Sequence, residues 1–214
     1  MKLKKSLAFG LIVLWAAAGG VNARPSKDYW YSQHYFLMQD YERKAYKALT
    51  ANGRLEFQEL YWESRSPAAK EEFDRRLKFI AQNYKSENAA QSWNTDRARI
   101  YLLNGRPAGI EFSQNSAWTS SVVPGTGTTG ASLSGRSNED IQANTLEVWS
   151  YPYGKYLVVY GFQFQPPNKW RQVQITAAGG RYVQGLEKQN MIQVWGPTDE
   201  EAYKARLEEL KSIK

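Results

Sequence analysis

Apolar and polar residues follow two different periods along this chain, and the change falls near residue 95. Upstream the spacing is helical. Met38, Ala45 and Leu49, with Tyr41 or Glu42 between them, recur as a helix of 3.6 residues per turn requires. Asn52-Gly53 reads as a stop, because both residues tolerate a left-handed backbone. Leu55, Phe57, Leu60 and Tyr61 fit a second short helix. Ser66-Pro67 reads as an N-cap followed by a first helical residue, where proline gives up no needed hydrogen bond. Phe73, Leu77, Ile80 and Tyr84 then recur at intervals of four, three and four and make one apolar face.

Downstream the pattern is that of strands. Ile100 to Leu103 is a short apolar run ending at Asn104-Gly105, a strong turn signal. Leu146 to Tyr151 and Lys155 to Phe164 are two further strands joined at Pro152-Tyr153-Gly154, and Arg171 to Ile175 alternates like a half-buried sheet face. Gln189 to Trp195 reads as a last strand. Thr198-Asp199-Glu200-Glu201 reads as a capping box opening a C-terminal helix with Tyr203, Leu207 and Leu210 on one face. Residues 113–143 are rich in Ser, Thr and Gly and lack a period, which predicts a mobile loop between two sheet strands. The expected fold is α+β: N-terminal helices packed on an antiparallel β-sheet, plus a C-terminal helix, in a single domain over 24–214.

Residues 1–23 have the build of an export signal. Lys2, Lys4 and Lys5 precede an unbroken apolar or small stretch from Leu7 to Ala18, and Val21-Asn22-Ala23 offers small residues for cleavage. That stretch falls short of the roughly 20 residues a helix needs to span a bilayer. The expectation is an exported protein without a stable membrane span after cleavage; an uncleaved N-terminal anchor is the alternative. Removing three Lys and no acid lowers the formal charge from +7 to +4 over 24–214. A balance that small is not the footprint of a nucleic-acid binder. With no Cys and one His, disulfides, thiolate metal sites, a Cys nucleophile and paired catalytic histidines are all excluded within one chain. Neither a metal nor a cofactor is indicated.

The sharpest cluster of chemistry is Trp93-Asn94-Thr95-Asp96-Arg97-Ala98-Arg99. One use would be a site: Asp96 as acid or base, Arg97 or Arg99 holding an anion, and Glu147 as a second carboxylate for hydrolysis. The other is structural. Thr and Asp side chains bond nearby backbone amides in a tight turn, Trp93 would anchor it, and Arg97 and Arg99, on one strand face, would meet Glu147 on a neighbouring strand. The structural use is favoured, since ion pairs of this kind commonly serve the fold. Among the other candidates, Gly125 to Gly130 spells G-x-G-x-x-G but lacks the helix a phosphate cradle needs. His34 reads as a packed or surface residue, and Ser120 and Ser121 lack a nucleophile elbow. Asn138-Glu139-Asp140 lacks the spaced oxygens calcium takes. Trp118, Trp170 and Trp195 lie beside polar or loop sequence and are the aromatic candidates for stacking on a glycan or packing on a partner.

The block from Ser92 to Tyr101 resembles the signature of the GWxTD domain family, through Trp93, Thr95, Asp96, Arg97 and Arg99, followed by Gly105 and Pro107. Ser92, Ala98 and Arg106 stand where that family has Gly, Gly and Pro. Phe57 with Tyr61 to Pro67, Phe73 to Arg76, and Glu147-Val148-Trp149-Ser150-Tyr151 resemble further family blocks in the same order. The resemblance spans roughly residues 35 to 165. It implies a bacterial, often exported protein and assigns no activity. The functional expectation is therefore a non-enzymatic module that binds a protein or glycan, with a hydrolase using Asp96 and Glu147 as the alternative.

Overall fold

The computed structural model describes residues 28–113, 145–173 and 182–212. Residues 1–27, where the export signal is expected, nearly all of the 113–143 stretch, Trp118, Ser120, Ser121, the glycine run at 125–130 and Asn138–Asp140 lie outside the described residues. Among these residues the fold is α+β. Five helices come first: α1 (Tyr29–His34), α2 (Asp40–Ala48), α3 (Ala51–Glu63), α4 (Pro67–Asn83) and α5 (Asp96–Asn104). Four strands follow, β1 (Gly109–Ser113), β2 (Leu146–Tyr153), β3 (Tyr156–Gln165) and β4 (Lys169–Val173), then α6 (Val183–Gln193) and α7 (Glu200–Leu210). The strands form one antiparallel sheet in the order β1-β2-β3-β4.

Local chemistry explains most boundaries. Ser66 Oγ accepts the Ala69 amide at 3.3 Å and Pro67 occupies the first helical position, as expected for α4. Phe73, Ile80 and Tyr84 of its apolar face are buried. Asn52-Gly53 does not stop a helix: it lies in the first turn of α3, because Thr50 Oγ1 accepts the Gly53 amide and starts a new helix there. The expected capping box before α7 does not form, because the N-cap is Asp199 and Ala202, with no carboxylate, stands at N3. Asp199 Oδ1 accepts the Ala202 amide at 3.0 Å, while Thr198 gives both its amide and its hydroxyl to Ser64 O.

Two expected strands are helices. Ile100 to Leu103 lies in α5, and Gln189 to Gln193 lies in α6, with Val194 and Trp195 just past its end. The Asn104-Gly105 turn signal marks a helix end, not a hairpin. Gly105 adopts φ 80°, gives its amide to Tyr101 O, and would set a Cβ 2.8 Å from the Arg76 guanidinium. Only glycine meets both conditions.

Residues paired across an antiparallel sheet project to the same face. One face carries Glu147, Trp149, Tyr151, Val158, Tyr160 and Phe162, and it packs against α4, α5 and α6 in the larger of two apolar clusters. The second cluster joins Ala45 and Tyr46 of α2, Phe57, Leu60 and Tyr61 of α3, and Tyr203 and Leu207 of α7. Trp62 touches both. Arg65, 4% exposed, fastens the same region: its guanidinium donates to Glu42 Oε1 at 2.5 Å, Tyr61 O at 2.6 Å and Trp195 O at 2.5 Å.

Candidate functional site

Helix α5 carries most of the signature block, and its start is written in side chains. Thr95 Oγ1 accepts the Ala98 amide at 3.2 Å, which makes Thr95 the N-cap. Asp96 then opens the first turn, where a negative charge meets the positive end of the helix. Just before the cap, Trp93 is half-buried, donates Nε1–H to Ser32 Oγ at 2.9 Å and meets Tyr29 edge-on. The far end is closed as firmly. Arg76 Nη1 donates to the carbonyls of Leu102 and Leu103, and Trp195 Nε1 donates to Leu103 O. Pro107, buried, leads from Gly105 into β1.

From this position α5 holds the sheet. Asp96 Oδ2 accepts the backbone amide of Gln172 at 2.9 Å. Glu87, in the connection before α5, accepts the amide of Trp170 with its Oε2 at 3.4 Å. These two amides belong to alternate residues of β4, the last strand, so two carboxylates take donors that the sheet edge would otherwise leave unpaired. Arg99 donates to Gln172 Oε1 and lies over the Phe36 ring. Arg97 and Arg99 thus reach the sheet from a helix, not from a shared strand face.

Arg97 is the centre of a buried network. Its Nε and Nη2 donate to Glu87 Oε1 at 2.9 and 2.7 Å, and its Nη1 donates to Glu147 Oε2 at 2.6 Å. The other Glu147 oxygen accepts Trp149 Nε1–H at 2.5 Å. The guanidinium is also sandwiched between the rings of Tyr84 and Trp170, at 4.8 and 4.7 Å from their centroids. Burial pushes the Glu87 carboxyl above its ordinary range, a shift that Arg97 and the Trp170 amide oppose. Glu87 gave no signal in the sequence: a lone acid between two helices is usually a solvated one.

The two proposed carboxylates are therefore separated in use. Glu147 is 3% exposed and bound to Arg97 and Trp149. Asp96 instead lines a polar hollow of about 290 Å³ with Glu87, Thr95, Lys169 and Arg171, and Glu147 is not in its wall. Of the aromatic candidates, Trp195 is 0% exposed and cannot stack on a ligand, because its indole is spent on the α5 terminus. Trp170 is half-buried, with Arg97 over its ring and Phe164 edge-on. Trp149 is 1% exposed and structural.

His34 is packed. Its ring lies between Trp30 and Phe73, at centroid distances of 4.0 and 4.4 Å. Nδ1 meets Trp30 O at 2.7 Å. It lies in the floor of a cleft of about 700 Å³ bounded by Trp30, Trp62 and Leu77. Among the described residues no group of three or more His, Cys, Asp or Glu is placed to hold a metal ion, and no helix is long and apolar enough to cross a membrane. Scans against known protein families, curated proteins and solved structures find no match to this chain.

Proposed function

We propose that this chain is an exported, non-catalytic binding module of the GWxTD type, acting on a protein or glycan at the bacterial envelope or outside the cell. One observation carries the reading. The charged groups of the signature block are spent on the fold: Asp96 on the edge of β4, and Arg97 on Glu87 and Glu147. A hydrolytic carboxylate pair needs one acid to give a proton and a partner to act on water or substrate. A carboxylate held between a guanidinium and an indole N–H is poorly suited to either task.

The test is the stability of Asp96→Ala in urea. Removing an acceptor and leaving a half-buried amide unpaired costs about 1–3 kcal/mol, and a loss of that size is expected. An unchanged or raised midpoint would speak for the hydrolase, since catalytic carboxylates are commonly kept at the expense of stability.

A further inference from the structure

The two edges of the sheet are treated differently. At β4 the amides of Trp170 and Gln172 are covered by Glu87 and Asp96. At β1 no strand, and no such carboxylate, covers the outer side among the described residues. An uncovered edge is a template for another strand.

The side chains of β1 say which strand. Ile110 pairs with Trp149 and Phe112 with Glu147, so both point to the helix-covered face of the sheet. The helices do not extend over them: Ile110 is 50% and Phe112 67% exposed. Between them Glu111 projects to the opposite face and is exposed. The edge thus reads apolar, acidic, apolar. A second copy of this chain meets a charge conflict in the register that matches its two apolar residues. The antiparallel register that sets Ile110 against Phe112 of the other copy also sets Glu111 against itself, and like charges directly opposed destabilise a strand pair.

We propose that the free edge of β1 receives an extended segment of a partner protein in which two apolar residues bracket a Lys or Arg. The backbone of the segment pairs with β1, its apolar side chains extend the sheet face over Ile110 and Phe112, and its basic residue lies across from Glu111. This rests on the binding-module reading and chooses protein over glycan within it.

The probes are two short fluorescent peptides, one alternating Val with Lys and the other Val with Glu, titrated with the chain by anisotropy. The Val–Lys peptide is expected to bind tighter by roughly three- to tenfold, the range set by cross-strand charge pairs. Glu111→Lys should reverse that order. Ile110→Lys combined with Phe112→Lys should abolish binding of both peptides while the urea midpoint stays put, because both side chains are exposed. Equal binding of the two peptides, or binding that ignores these substitutions, overturns the proposal. A dimer in sedimentation equilibrium that Phe112→Lys dissociates also overturns it and gives the edge to a second copy. Failure of both peptides overturns it too and leaves the binding-module reading standing, since Asp96→Ala stability is read independently.

Discussion

His34 is the only histidine of the chain, and its two aromatic neighbours decide its charge. Burial between Trp30 and Phe73 lowers its pKa from 6.5 to about 3, so the folded protein holds it neutral at ordinary pH. Nδ1 donates to Trp30 O, which leaves Nε2 as a bare acceptor. The unfolded chain takes up the proton near pH 6.5, and the folded chain takes it up only near 3. The contribution of His34 is therefore fully present above 6.5 and is lost as pH falls toward 3, at up to about 1.4 kcal/mol per pH unit. Carboxylates supply a background common to any variant. His34→Phe should accordingly lose about 2–3 kcal/mol less than the parent between pH 7 and 4.5, measured by urea unfolding at both values. Parallel pH profiles would show that position 34 does not carry this linkage. Little of this was legible in the sequence, where the ring has neighbours only at Gln33 and Tyr35. The rings that matter come from one turn earlier and from α4.

At the scale of elements, the sequence spoke clearly wherever a helix shows one face to water. The apolar spacing of α4 and the Tyr203–Leu207 pair of α7 were readable for that reason. It misled where a helix is enclosed. In α5, Ile100, Tyr101, Leu102 and Leu103 are all buried, since α4, α6, Trp149 and the sheet surround them. A run of four apolar residues carries no period and matches a buried strand equally well. The true signals were at its ends: Thr95 as N-cap and Gly105 as stop, both of which also suit a strand between turns. The structural role of the signature block was legible, and its mode was not, because the partners Gln172 and Glu87 lie 76 and 10 residues away from the groups they meet. Gly105→Ala tests the stop. A positive φ costs a side chain about 1–2 kcal/mol, and the close Arg76 guanidinium adds to it. A loss at least that large is expected in thermal or urea unfolding, and a neutral result would mean that the end of α5 can rearrange.

For the whole molecule, the described residues form two apolar clusters on either side of Trp62, with the sheet in the larger one. Among the described residues one sheet edge is closed by carboxylates and no strand covers the other. Export of the chain is the reading proposed for its N-terminal segment. That reading makes a direct prediction. When the full chain is expressed in a bacterium with an export pathway, N-terminal sequencing of the protein released from the envelope should begin at Arg24. Material that keeps Met1 and stays in the cytoplasm would refute it.

Arg65 also sets an order of events. It sits at the end of α3 but donates to Trp195 O, 130 positions away, and the cluster beside it is finished by Tyr203 and Leu207. Closing so long a loop costs only slightly more than closing a shorter one, so the burden falls on timing. Until the segment from Trp195 to Leu207 is present, the guanidinium lacks one of its acceptors and the N-terminal helices lack part of their apolar cover. The part of the chain that emerges first would therefore hold its helices loosely until that segment follows it.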